Sequence, residues 1–394
     1  MKELEVVKFI KENDSNWREL LSNDPYNLKI KENDNYVLLT YNQVKSDFNY
    51  RICRECRGLI LDKHKITPVA LSFYKFFNVQ ETYADNIDWN SCRVQEKVDG
   101  SKILVWQDNY TNKWNISTSG MLDAFEAKVS DSENTFGDLF MQAWNEQMAG
   151  MRIEQCLSQD YCYTFELVSP ETRVVIPYKE LDIYLIGVRN VRTFEEELPV
   201  RHSINTFIKT PKTYFLNSLD ECLSAVDEMG FDEEGFVVVD TNWNRVKIKS
   251  PAYVAVHHMK DNGKVNKHRL LELINRNETS EFLSYFPEYT KYIDELKDAR
   301  AKVLNDLTNG CIVIENKFEL ELDKNNICRK DYALLINKDY SNINSLLFKF
   351  LNEIIKNGDV WIKDFILKQW NDLSTEKQLS YMCNYLDKED ISNE

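Results

Sequence analysis

No apolar run in this chain approaches the length that crosses a bilayer, which excludes an integral helical membrane protein. No GxxxxGK[ST] phosphate loop and no GxGxxG fingerprint is present, so the two commonest Gly-rich nucleotide cradles are absent. The five histidines form no ligand-spaced cluster, and the lone CxxC at Cys53 and Cys56 has no second pair to complete a zinc site. Nine cysteines, an odd number spread over the chain, argue against a disulfide framework and for a reducing compartment. Positive charge is also short. The formal net charge of −15 argues against a protein that coats nucleic acid non-specifically, but leaves room for a basic cleft in an acidic body. The opening Met1-Lys2-Glu3-Leu4-Glu5 is charged and lacks the apolar core of a signal peptide, so a cytoplasmic location is expected.

What is present fits a globular enzyme. The chain has 394 residues, 43% hydrophobic and 29% charged, enough for two or three domains. The first 250 residues are rich in strand-like runs, among them Val37-Leu38-Leu39-Thr40, Leu59-Ile60-Leu61 and Val237-Val238-Val239. Residues 121–157 read as mostly helical. Past Pro251 the texture changes. Pro287 is the last proline, and stripes at helical spacing recur, such as Tyr292-Leu296-Ala299-Val303-Leu307 and Trp361-Phe365-Ile366-Trp370. We expect a β-rich domain over 1–250 and an all-helical domain over 251–394, whose Trp and Tyr residues serve its core.

The centre of the first domain is Glu96-Lys97-Val98-Asp99-Gly100-Ser101-Lys102. Asp-Gly between two strand-like runs predicts a tight turn, with Lys97 held at a strand end. A surface hairpin with an incidental lysine is the competing reading of this stretch alone. Downstream residues shift the balance. Glu166 is an acid among the apolar residues of Tyr163–Val168, and burying it is costly unless it is paired or bound to metal. Glu234 stands at the mouth of a strand entered through Gly235. Lys247 and Lys249, two apart on a strand, project from one face, which suits either an anion between them or a solvent-facing edge strand. Arg57 opens another strand, and Lys75 is displayed between Tyr74 and two phenylalanines.

Together these residues fit lysine-based nucleotidyl transfer. An ordinary lysine, with a pKa of about 10.4, is protonated at neutral pH. Attack on phosphorus therefore needs neighbouring cations to destabilise the ammonium, and the same cations offset charge on the phosphate. Carboxylates then hold a divalent metal and the nucleotide.

The ordered set Glu55-Cys56-Arg57-Gly58, Lys75-Phe76-Phe77-Asn78, Lys97-x-Asp99-Gly100, Phe165-Glu166, Glu234-Gly235 and Lys247-x-Lys249 resembles the bacteriophage T4 RNA ligase 1 family of covalent nucleotidyltransferases. The resemblance covers nearly the whole length. It implies an α+β fold, with an antiparallel-sheet, ATP-grasp-like nucleotidyltransferase core followed by an all-α C-terminal domain. It implies an ATP-dependent RNA ligase, with Mg²⁺ or Mn²⁺, sealing 5′-phosphate to 3′-hydroxyl RNA ends, broken tRNA being a candidate substrate. A monomer is expected, in the host cytoplasm if the gene is a phage's. By the same resemblance Lys97 carries AMP, and Asp99 orients it or holds metal-bound water. Tyr41, Arg57, Lys75, Glu96, Gly100, Glu166 and Glu234 contact nucleotide or RNA phosphate. Lys247 and Lys249 bind the α-phosphate. Glu166 and Glu281 are the expected metal ligands. Ser119 stands where the family can carry a lysine, which weakens one phosphate contact. The alternatives are another polynucleotide ligase or a guanylyltransferase of the same superfamily, or a non-catalytic RNA-binding relative. The helical C-terminal part disfavours a capping enzyme, and the intact set of charged residues disfavours a dead copy.

Overall fold

The computed structural model describes residues 3–130, 132–258, 266–320 and 328–386. It divides into two compact units, Met1–Lys260 and Asp261–Glu394.

In the first unit, β1 (Lys29–Glu32), β2 (Tyr36–Thr40), β3 (Arg57–Asp62) and β4 (Thr67–Ala70) form an antiparallel sheet in the order β1-β2-β3-β4. Leu38, Ile60 and Val69 on one of its faces pack against Leu104, Trp106 and Cys162 of another sheet. Val37, Leu39, Leu59 and Leu61 on the opposite face bury the N-terminal helices through Val6, Ile10, Trp17 and Leu21. The alternation of 37/39 with 38 is the period-two pattern of a strand buried on both sides.

The next strands, β5 (Phe77–Asn78) and β6 (Arg93–Glu96), belong to a second sheet. The chain then crosses to a third sheet made of β7 (Ser101–Gln107), β8 (Trp114–Thr118), β9 (Tyr161–Val168), β10 (Asp182–Asn190) and β11 (Glu196–Glu197), ordered β11-β10-β9-β7-β8. Strands β12 (Thr213–Tyr214), β13 (Gly235–Val239) and β14 (Arg245–Lys249) return to the second sheet, ordered β12-β6-β13-β14-β5. All pairings are antiparallel except β14 with β5. The helix Phe136–Gln147 covers the third sheet through Leu139, Phe140 and Trp144. The helix Leu219–Asp227 covers the second through Cys222 and Val226.

Two expectations change here. The Asp-Gly stretch is no hairpin turn, because β6 and β7 lie in different sheets and residues 97–100 are the crossover between them. Residues 121–157 are helical only over Phe136–Gln147 and Ile153–Cys156. Before Thr135, Asp123 accepts from the Phe125 N–H and Ser132 from the Asn134 N–H, local bonds that compete with a helix.

The first unit also runs past residue 250. The helix Pro251–His258 belongs to it, and Tyr253 is 1% exposed there. The second unit is helical in its described residues. Its long helix Thr290–Glu319 buries Ile293, Leu296, Ala299, Val303 and Leu307 along one stripe, against helices that include Lys267–Arg276, Asn344–Asn357 and Ile362–Asn371. Gly358, at φ +78°, ends one of them. Phe365 and Trp370 are core residues as expected, but Trp361, at that helix's N-cap, is 80% exposed.

Candidate active site

Strand β6 delivers Lys97 to the edge between the second and third sheets. The Lys97 N–H donates to the Gly235 carbonyl at 2.8 Å, and the Glu96 N–H to the Lys212 carbonyl at 2.8 Å, so the backbone is held on both sides. The Lys97 ammonium donates to Glu234 Oε2 at 2.7 Å, and Lys249 Nζ stands 3.5 Å from Glu234 Oε1. One buried carboxylate thus bridges two lysines. Gly235 makes this possible. It sits at φ +125°, and a Cβ there would lie 2.2 Å from the Ile248 carbonyl oxygen.

Asp99 is buried and does not touch Lys97. Its Oδ2 accepts from the N–H groups of Val175 and Ile176 at 3.0 and 2.9 Å, and its Oδ1 accepts from the Tyr253 hydroxyl at 2.8 Å. The next residue, Gly100, passes so close to β9 that a Cβ would lie 2.4 Å from the Leu167 carbonyl oxygen. Asp99 and Gly100 therefore pin the crossover that aims Lys97.

A cavity of about 290 Å³ opens beside Lys97, lined by Arg57, Glu96, Lys97, Gly100, Lys102, Glu166 and Arg245 among polar groups, with Phe73, Phe76, Ile186 and Val237. A smaller one, about 80 Å³, joins Lys97 to Glu234, Tyr178 and Tyr214. The register of the third sheet sets Lys102, Glu166 and Tyr184 on one rung. Burial, above all, pushes the Glu166 carboxyl up to about 7, and Glu234 adds to this, while Lys97, Arg57 and Lys102 pull it back. Burial and the Arg57 cation hold the Lys102 amine well below the usual lysine range. Lys102 Nζ donates to the Arg57 carbonyl at 2.9 Å and to Ser72 Oγ at 2.5 Å. Arg57 lies over the Phe76 ring at 4.7 Å. Its buried Nη1 has no hydrogen-bond partner among the described residues. A buried guanidinium nitrogen left unbonded beside a cavity is costly unless an anion fills it, which suits a phosphate.

Of the residues expected at the site, Arg57, Glu96, Lys97, Gly100 and Glu166 share one cavity. Glu234 and Lys249 join it through ion pairs with Lys97 and with each other. Lys247 is paired with Val237, which lines the cavity, and so stands on the same rung. Tyr41 and Lys75 do not line it. They meet each other, with Lys75 Nζ 5.1 Å from the rings of Tyr41 and Phe48. Ser119 contributes backbone instead of a phosphate contact: its carbonyl accepts from Thr40 Oγ1 at 2.6 Å, and its Cα lies 3.2 Å from where a Gly58 Cβ would be. Glu281 belongs to the second unit, and its side chain lies outside the described residues. Among the described residues no group of three or more His, Cys, Asp or Glu could hold a metal ion.

Lys102, Arg245 and Tyr253 went unnoticed in the sequence. Signals for two of them exist. Lys102 shares the period-two face of Leu104 and Trp106, an inward position for a lysine. Arg245 extends the Lys247-x-Lys249 alternation by one step. Tyr253, just past the last strand, carries no local signal of its bond to Asp99.

The RNA ligase of Rhodothermus phage RM378 is 27% identical over 339 residues, covering 70% of this chain and 75% of that protein. A putative bifunctional polynucleotide kinase/RNA ligase of Autographa californica nuclear polyhedrosis virus is 31% identical over 314 residues. That alignment covers 74% of this chain but 43% of the viral protein, so the chain spans less than half of it. Among solved structures, an archaeal ATP-dependent RNA ligase aligns over 75% of this chain and 82% of its own, at 14% identity and a TM-score of 0.43. Residues 55–253, which span half of the chain and hold Arg57, Lys97, Glu166, Glu234, Lys247 and Lys249, match the RNA ligase family of the T4 RNA ligase 1 type, and the chain belongs to that family.

Proposed function

We propose that this protein is an ATP-dependent RNA ligase that works through a lysyl-AMP intermediate on Lys97. The observation that carries the reading is the Lys97 amine, held 2.7 Å from buried Glu234 at the edge of a cavity whose Arg57 has an unbonded guanidinium nitrogen. The second and third sheets would form the ATP-grasp-like cleft of an adenylyltransferase domain. The helical unit would select the RNA, with broken tRNA as one candidate.

In the first step Lys97 Nζ, having lost a proton, forms a bond to the α-phosphorus of ATP, and the bond to the pyrophosphate oxygen breaks. Lys247, Lys249 and Arg57 offset the charge that builds on the phosphate oxygens. In the second step an oxygen of the RNA 5′-phosphate takes the AMP and the lysine amine is released. In the third, a 3′-hydroxyl oxygen attacks that 5′-phosphorus and AMP leaves. Glu96 and Gly100 would line the nucleotide. Asp99 positions Lys97 by fixing the crossover. Tyr41 and Lys75, lying outside the cavity, are assigned to the outer phosphates of ATP or to the RNA 5′-phosphate.

A divalent cation, Mg²⁺ or Mn²⁺, would enter with the nucleotide and would offset charge on the phosphates. Such an ion needs only one or two protein carboxylates, so no preformed cage is required, and Glu166 and Glu96 are the carboxylates that line the cavity, Glu166 being the one that would hold it. Glu281, in the helical unit, remains a proposed metal ligand.

The test is incubation with α-labelled ATP and a divalent cation, with GTP as control and the variant Lys97→Ala. The expected result is an acid-labile label from ATP that Lys97→Ala loses, followed by sealing of 5′-phosphorylated RNA. Label retained in the variant contradicts the mechanism. Label from GTP, or sealing of nicked DNA but not RNA, points to another member of the superfamily.

A further inference from the structure

The cleft does not end at the nucleotide cavity. A second cavity of about 70 Å³ shares Phe73, Gln95, Ile186 and Arg245 with the first and continues along the same sheets to Arg93, Trp243 and Val200. Arg93 and Arg245 line it, and Arg201, next to its Val200, is close enough to act on Arg93. Burial and then the cations of Arg245 and Arg201 push the Arg93 guanidinium down from its ordinary range. The nearby carboxylates are already engaged. Glu196 binds Arg189 and Arg245, each at 2.8 Å, and Glu197 lies 3.2 Å from His202. Asp240 accepts from the N–H groups of Asp88, Asn242 and Asn244. The side chains of Arg93 and Arg201 have no hydrogen-bonded or ion-paired partner among the described residues. Glu196 and Asp240 attract Arg93 from a distance, but neither bonds it, so its guanidinium donors stay open to an anion.

Aromatic surface accompanies this charge. Arg93 lies over the Trp243 ring at 5.6 Å, and Trp243 is held at φ +65° in the β13–β14 turn, a conformation a bulky residue rarely adopts. Phe215, one residue past the pairing of Tyr214 with Val94 on the Arg93 side, is 97% exposed. Cations beside the half-buried Trp243 ring and the exposed Phe215 ring make a surface single-stranded nucleic acid can take, phosphates on the charge and bases on the rings. The position argues against the triphosphate of ATP. Arg93 lies four residues up β6 from Lys97, about 13 Å along a strand, whereas the α-phosphate must touch Lys97.

We propose that Arg93, Arg201 and Arg245, with Trp243 and Phe215, form a subsite for a backbone phosphate of the RNA strand, away from its reacting end. The inference rests on the RNA ligase reading. Arg245 fixes the site through Glu196, while Arg93 and the exposed Arg201 are the groups left to meet the phosphate.

The experiment is equilibrium binding of a fluorescent 5′-phosphorylated single-stranded RNA, without ATP, to the full chain and to Arg201→Glu, Arg93→Ala/Arg201→Ala and Arg93→Lys, with thermal melting as the folding control. The double variant is expected to bind about tenfold more weakly and to flatten the slope of log affinity against log salt by about 0.7, the share of one phosphate contact on a single strand. Arg93→Lys, which keeps the charge, should retain most of the affinity that the double variant loses. RNA affinity and salt slope unchanged in folded Arg201→Glu and in the double variant would overturn the proposal. So would variants that raise the ATP concentration needed for self-labelling while leaving RNA binding alone, since the site would then serve the nucleotide's polyphosphate. Failure of the unaltered protein to take up AMP at all sinks the ligase reading instead, and is seen separately by self-labelling.

Discussion

Glu166 and Lys102 face each other on one rung of the third sheet, and each is held away from its ordinary charge state. For Glu166, whose carboxyl is pushed from 4.5 up to about 7 mainly by burial, folding favours the protonated form. Its contribution to stability is therefore present below the ordinary carboxyl range and is lost as pH rises through about 7. Glu166→Gln, which imitates the protonated acid, should melt with the native protein near pH 5 and above it near pH 8. A melting difference that does not change with pH would contradict this. The same variant should lose about 10²-fold in self-labelling, because the amide cannot hold a cation beside the phosphates. Stability gained with activity lost is the pattern of a group kept for chemistry. Glu166 was legible in the sequence for that reason: an acid inside Tyr163–Val168 has no structural justification in an apolar run. Lys102 was not singled out, although its place on the inward face of β7 was there to be read.

At the scale of elements the informative case is the crossover from β6 to β7. Asp-Gly between apolar runs has the local chemistry of a hairpin turn, and nothing within seven residues distinguishes a turn from a passage between two sheets. What decides it is distant: the Asp99 carboxylate accepts from the backbone at 175 and 176 and from Tyr253. Asp99→Ala removes three hydrogen bonds to a buried carboxylate and strands two backbone donors, which should cost about 3 kcal/mol or more. Tyr253→Phe removes one of the bonds and should cost about 1–2 kcal/mol. Denaturant melts of the two variants check the ratio, and equal losses would place the weight on Tyr253 instead of on the backbone bonds. Gly235→Ala tests the other support of Lys97. A Cβ at φ +125°, 2.2 Å from a carbonyl oxygen, must push β13 off β14, at a cost of about 2–4 kcal/mol. Self-labelling should fall beyond what the melt explains, because Glu234 moves with Gly235. By contrast, the alternation of Lys247 and Lys249 needed only the strand period, and their shared face is visible in the sequence alone. The helical stripe at Tyr292–Leu307 was readable for the same reason, one period repeated over many turns. Trp361 was not, because it stands at the helix N-cap, where the periodicity has no hold.

On the scale of the whole molecule, a chain of net charge −15 gathers Arg57, Lys97, Lys102 and Arg245 around one cavity, with Arg93 and Arg201 beyond it. The acidic remainder keeps the protein from binding polyanions indiscriminately, while the cleft focuses its own field on a phosphate. Composition announced the acidic body, but the cleft's strength depends on three sheets meeting, which no window of sequence contains. The division into two units has a similar standing. The loss of proline and the helical stripes mark a change of architecture near residue 251, yet Pro251–His258 packs with the first unit because Tyr253 completes the bonding of Asp99. If the nucleotide cleft lies wholly within residues 3–258, ATP should stabilise that unit and not the helical one. At about 100 times its dissociation constant, a ligand bound only to the folded state adds about 2.7 kcal/mol. Hydrogen exchange in the full chain should then slow in β6, β13 and β14, around Lys97 and Glu234, and stay unchanged in the helix Thr290–Glu319. Equal protection of Thr290–Glu319 on adding ATP alone would show that the helical unit takes part in holding the nucleotide, and its proposed role would move from choosing the RNA to completing the first chemical step.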